Sequence, residues 1–179
     1  MTNWGFCFLD IETTGLDPKV DEILEVGLVF VTHDLESVIA TYSHQIQYTT
    51  DPEQWPTVVK EMHETSGLMQ TLNEGNFPPV AIAALNIEDD ITYVRDGNGW
   101  EKIHLAGNSV HFDRSFLKEW MPNVEKLFHH RHLDASSFKL LAETKASKLE
   151  AENPNAHRAI NDCYESLTLA RLAQEKFNV

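Results

Sequence analysis

The sequence predicts an α/β fold: a mixed sheet, made of a three-stranded antiparallel meander plus parallel strands, with helices on both faces. Three observations predict it. Three β-prone runs with short links fill the chain up to Tyr48. The pattern then changes to helical spacing. From Ile103 onward, short apolar runs alternate with helical stretches, as strand–helix units do. No repeat, low-complexity tract or linker divides the chain, so one domain over residues 1–179 is expected.

Residues 6–9 form an apolar, β-prone run that reads as a central strand, and Thr13, Thr14 and Gly15 end it in a turn. Residues 22–31 read as the second strand. Residues 37–48 alternate through Val38, Ala40, Tyr42, His44, Ile46 and Tyr48 and read as the third, with a hairpin turn at 33–36. Residues 56–62 and 68–72 have helical spacing, broken at Ser66 and Gly67. Pro79 suits a first helical turn, and Val80, Ala83, Ala84, Ile87, Ile91 and Val94 form an amphipathic stripe after it. A loop at 96–99 leads to a short strand at 103–107. A helix at 113–120 stops before Pro122, with another helical turn at 124–128. A brief strand end at 132–134 precedes a helix to about Thr144. A polar loop at 144–155 then gives way to a long helix at 156–177, with Ile160, Cys163, Leu167, Ala170 and Leu172 on its apolar face.

Composition narrows the function. No basic and apolar leader opens the sequence, and no apolar run is long enough to span a bilayer, so no membrane association is expected. Cys7 and Cys163 both lie in apolar-patterned segments. They read as reduced core residues of a cytoplasmic protein, not as a disulfide framework or a zinc site. The formal net charge is −14, from 14 Lys and Arg against 28 Asp and Glu. Such a surface repels a long polyanion, which argues against sequence-independent gripping of long nucleic acid, while a short anion at one local site stays open.

The chemistry gathers around Asp10 and Glu12. Strand side chains alternate with period two, so this pair projects from one face at the end of a dry strand. Two like charges there raise each other's pKa unless a cation lies between them. Asp113 follows a strand, at what reads as a helix start, where Asp is also a preferred N-cap. Asp162 sits within a helix beside inward-facing Ile160 and Cys163, although Asp is a poor helix former. His157 lies five residues earlier, well off the face of Asp162, so it must occupy the helix start or the preceding loop to reach the same site. With nine histidines in the chain, a solvated loop histidine is the bland alternative.

This order of motifs, D-x-E, a distant Asp, then H-x4-D, resembles the DEDD exonuclease superfamily in its histidine (DEDDh, DnaQ-like) branch. Residues 8–18, 63–68, 107–117 and 128–136 make the chain most similar to oligoribonuclease. The resemblance implies an RNase H-like fold and 3′-to-5′ hydrolysis of very short single-stranded RNA, with DNA a further option, to 5′-mononucleotides. Asp10, Glu12, Asp113 and Asp162 would hold two Mg²⁺ or Mn²⁺ ions, about 3.5–4 Å apart in sites of this kind. Oxygen donors suit these hard ions. His157, with an ordinary pKa near 6.5, would act as general base.

The resemblance further implies that Leu16 is a hydrophobic wedge, that Ser109, Arg131 and Ser136 cap a 5′-phosphate, and that Thr13 and His63 complete the substrate-binding set. It also implies a homodimer. On their own, Arg131 reads equally as a surface arginine and Ser136 as a helix-cap residue. Two positions depart from the oligoribonuclease pattern: Val58 stands where a Trp is usual, with Trp55 nearby, and His130 where a Tyr is usual. The rival readings are a DEDDh exonuclease on longer single strands, such as a proofreading or RNA-trimming enzyme, a catalytically inactive binding module, and a non-nuclease acidic metal-binding protein.

Overall fold

A computed structural model describes residues 3–144 and 147–177. Residues 145–146 of the expected polar loop, and residues 1–2 and 178–179 of the expected domain, lie outside the described residues.

Strands β1 (Trp4–Thr13), β2 (Ile23–Thr32) and β3 (Val38–Gln45) form the antiparallel meander. Strands β4 (Lys102–Gly107) and β5 (Leu133–Asp134) add in parallel on the other side of β1, giving the order β3-β2-β1-β4-β5. Among the described residues, seven α-helices follow the meander or alternate with the later strands: α1 (Thr57–Thr65), α2 (Leu68–Glu74), α3 (Val80–Gly97), α4 (Val110–Trp120), α5 (Pro122–Leu127), α6 (Ala135–Glu143) and α7 (Ala159–Phe177). The mixed α/β architecture read from the sequence is the one the chain adopts.

β1 is central because both of its faces are dry. Cys7, Leu9 and Ile11 enter a large core built with Ala83, Ile87, Ile91 and Val94 of α3 and with Phe116, Leu117 and Val124 of α4 and α5. Phe8 points the other way, against Cys163, Leu167 and Ala170 of α7. Burial on both faces is why β1 and β2 read as continuous apolar runs rather than alternating ones. A smaller cluster packs Trp55 with Leu68, Met69 and Leu72 of α2 over Leu24, and α6 packs on α7 through Ala135, Ala142, Leu169 and Ala173.

Several boundaries differ from the sequence reading. β1 runs through Thr13, paired to β2, so Asp10 and Glu12 lie inside the strand. α4 begins at Val110, after Ser109 in a left-handed conformation (φ 61°), so Asp113 is inside the first turn and is not an N-cap. Pro122 opens α5 instead of only ending the helix before it, because a missing N–H costs nothing at a first turn. α7 starts at Ala159, three residues later than its apolar spacing suggested, and leaves His157 in the loop ahead of it.

Candidate active site

The site forms where α7 begins against β1 and β2. On β1, the residues that alternate with Leu9 and Ile11 are Asp10 and Glu12, and both turn toward α7. On β2, Gly27 pairs with Asp10 and Glu25 pairs with Glu12. Gly27 has a steric reason to be glycine: a Cβ there would come within 2.6 Å of the Ala159 carbonyl carbon. The missing side chain lets the first turn of α7 lie directly on β2, and that turn brings Asp162 to the β1 pair. Asp10, Glu12 and Asp162 each offer an oxygen, and these atoms lie within 4.8 Å of one another.

Asp113 stands behind this trio. It is 3% exposed, and its Oδ1 accepts the Ile11 N–H at 3.1 Å, which fixes it between β1 and α4. His157 is exposed at the rim with a left-handed backbone (φ 65°), and its N–H donates to Asp162 Oδ2 at 3.0 Å. Asn153 donates from its amide to Asp162 Oδ1 and to Glu165 Oε2, so the loop before α7 folds onto the site. His63 is fully buried. Its Nε2–H donates to the Thr13 carbonyl at 2.8 Å, which leaves the Nδ1 lone pair facing Glu12 Oε2 at 3.8 Å without a hydrogen-bond partner.

Electrostatically the nest is a cation trap. Burial, then the charges of Asp10, Asp162 and Glu25, push Glu12 up to about 9, against a smaller opposing pull from Arg158. Burial and the neighbouring carboxylates Asp162, Glu25 and Glu165 also raise Asp10 well above its ordinary value. Asp113 rises through burial and the charge of Asp10, and Asp162 through burial, opposed by the N–H and charge of His157. Burial holds His63 below its ordinary pKa, so its ring is neutral. Clustered carboxylates that resist ionisation are relieved by a divalent cation, and hard oxygen donors suit one. The donor set therefore fits a divalent metal site.

The other residues picked out in the sequence fall in three places. Thr13 joins His63 through its carbonyl, and its hydroxyl donates to the Gly15 carbonyl. Leu16, 79% exposed, projects from the turn after β1. Ser109 and Ser136 meet at Asp134, whose carboxylate accepts the N–H groups of Ser109, Val110 and Ser136 and the Ser136 hydroxyl. Arg131 is exposed and lines a cavity of about 540 Å³ with Trp4, Phe6, His104 and His129, a cavity that neither serine lines. Val58 is 71% exposed, while Trp55 packs edge-on to His63 and is only 8% exposed. The sequence reading missed Glu25 and Arg158. The one available signal was a lone carboxylate in the apolar run of β2, and the arginine simply follows His157 in the chain.

This fold, with a carboxylate nest on its central strand, defines the class of protein. The exonuclease family model RNase_T matches residues 7–170, and the chain belongs to that family. Within it, the similarity runs to oligoribonucleases. The oligoribonuclease of Tropheryma whipplei (strain Twist) is 33% identical over 180 residues, covering 95% of this chain and 91% of that protein. The oligoribonuclease of Neisseria meningitidis serogroup B is 28% identical, covering 97% of this chain and 92% of that protein. Among solved structures, the nuclease domain of 3′hExo, described as a DEDDh family member bound to rAMP, superposes with a TM-score of 0.65 at 14% identity, covering 96% of this chain and 92% of that one. The zinc-bound E. coli ExoI–ssDNA complex gives 0.70 at 16% identity, and this chain spans 41% of that longer one. These likenesses make the fold an RNase H-like exonuclease fold.

Proposed function

We propose that the chain is a metal-dependent 3′-to-5′ exoribonuclease, a single domain over residues 1–179, that degrades short oligoribonucleotides to 5′-mononucleotides. The observation that carries this reading is the convergence of Asp10, Glu12 and Asp162, with His157 at the rim. In this reading two Mg²⁺ or Mn²⁺ ions are held by Asp10, Glu12 and Asp162 with Asp113 behind them. Bound there, they would acidify the attacking water and offset charge on the leaving oxygen.

The side chains do the rest. His157, solvent-facing and next to Asp162, takes the proton from the attacking water. That water adds to the phosphorus of the 3′-terminal phosphodiester, the bond to the 3′-oxygen of the preceding nucleotide breaks, that oxygen takes a proton from solvent to become a 3′-hydroxyl, and a 5′-mononucleotide leaves. Leu16, exposed in the turn after β1, would wedge against the terminal base, and the reading carries Thr13 and His63 with it as the rest of the substrate-binding set. Ser109 and Ser136 at the Asp134 corner would hold the 5′-phosphate, joined by Arg131 once it turns out of the separate cavity it lines; a guanidinium and hydroxyl donors suit a phosphate. The net charge of −14 supports a short substrate with few phosphate contacts. The proposal includes a homodimer, as the resemblance implies, and two buried free cysteines suit the cytoplasm.

A ladder of labelled RNAs from two to about twenty nucleotides, assayed with Mg²⁺, with Mn²⁺ and with EDTA, tests the proposal. Rates should fall steeply with length and vanish in EDTA. Flat rates along the ladder would favour an exonuclease of longer strands, and full activity in EDTA would sink the metal-dependent reading.

A further inference from the structure

We propose that Glu25 and Arg158 are a positioning pair that fixes His157 at the rim of the carboxylate nest. This rests on the reading of His157 as the general base.

Glu25 is wholly buried in an otherwise apolar strand, a costly place for a carboxylate without full pairing. Its partners are numerous. Arg158 donates from Nη2 to Oε1 at 2.8 Å and from Nε to both oxygens at 3.2 and 3.3 Å. The Ala159 N–H donates to Oε2 at 2.9 Å, and Gln45 Nε2 donates to Oε1 at 2.7 Å, with the Ser43 hydroxyl at 3.4 Å. Burial would raise the Glu25 pKa, but these donors and the arginine charge outweigh it and hold it low, so the carboxylate is ionised.

The arrangement grips the chain on the C-terminal side of His157. Ala159 opens α7, so Glu25 supplies from another strand the acceptor that a helix N-terminus lacks, and its charge complements the helix dipole there. Gly27, two residues along the same face of β2, gives this turn the room to lie against the strand beside Glu25. On the other side, the His157 N–H is tied to Asp162. His157 itself has φ 65°, a conformation that costs free energy for a residue with a side chain and persists only where its surroundings over-determine it. The bidentate fork of Arg158 is geometry that a lysine cannot reproduce. Glu25 reaches no substrate from its buried position, so beyond its charge on Asp10 and Glu12 its contribution passes through residues 157–159.

The test is a double-mutant cycle on short-RNA hydrolysis with Mn²⁺, using Arg158→Met, His157→Ala and both together. Arg158 is a quarter exposed, which favours a folded variant. Arg158→Met should lower kcat about 10- to 10²-fold at saturating Mn²⁺, with KM unchanged within about twofold. In the His157→Ala background the same change should cost several-fold less, because most of its effect passes through the missing ring. An equal loss in both backgrounds, or wild-type kcat for Arg158→Met, would overturn the positioning role. Wild-type turnover in His157→Ala alone would instead remove the base assignment and this inference with it. If Arg158→Met loses its native circular dichroism, the cycle is run with Arg158→Lys, which keeps the charge and drops the fork, and the same criteria apply.

Discussion

At His157 the structure separates chemistry from architecture. Its backbone N–H anchors to Asp162, while its ring stays in solvent. Replacing the ring by alanine keeps the N–H and should leave the metal site intact. We expect His157→Ala to lower turnover roughly 10²- to 10⁴-fold while retaining stabilisation by Mn²⁺ in a thermal melt. Asp10→Asn, in contrast, should lose both activity and Mn²⁺ stabilisation, since Asp10 is one of the three converging donors. These acids were legible because residue type and the two-residue strand period together imply a shared face. Asp113 was legible as a carboxylate but not in its setting: reading it as a cap depended on a helix start that Ser109, with its unforeseen left-handed backbone, moves three residues upstream. Glu25 was hidden because one acid in an apolar run carries no partner in its own sequence neighbourhood.

At the scale of elements, the site is a seam between β1, β2 and the start of α7. Gly27 controls that seam. Gly27→Ala would drive a methyl into the Ala159 carbonyl carbon and should cost about 1–3 kcal/mol of stability by overpacking. Because the displaced turn also carries Asp162, we expect kcat at 25 °C to fall more than tenfold even where circular dichroism reports a folded chain. The strands and α3 were readable because their apolar patterns are long and periodic. The start of α7 was not, because residues 151–158 are polar whether they coil or wind, and the seat that decides it is built by β2, more than a hundred residues away in the chain.

At the scale of the molecule, the raised carboxylates make stability depend on pH and metal together. Glu12 moves from an ordinary value of 4.5 to about 9, and Asp10, Asp113 and Asp162 move in the same direction. The folded chain therefore binds more protons than the unfolded chain between these limits, and stability falls as pH rises through the window. In EDTA, the melting temperature should decline from about pH 5 toward pH 9. Mg²⁺ or Mn²⁺ should restore it, with the larger gain at the higher pH, because binding requires the ionised carboxylates. A melting temperature that climbs across this range in EDTA would contradict the electrostatics of the nest. The fold as a whole was legible because its order of strands and helices allows few arrangements. The placement of Arg131 in a cavity apart from Ser109 and Ser136 was not, since side-chain direction at a sheet edge leaves no periodic trace.

The two halves of the nest hang on parts of the fold with unequal resistance to opening. Asp10 and Glu12 belong to a strand paired to β2 through Thr13 and to β4 as far as Phe8, whereas His157 and Asp162 sit just before and within the first turn of a helix. Amide hydrogens at residues 5–8, paired on both sides, should therefore exchange with deuterium only when the whole chain unfolds, while those at 157–162 exchange through small local excursions. Divalent ions would slow both groups, the first through the added global stability and the second because local opening releases the ion, and the helix start would be the hinge through which an ion is captured and let go.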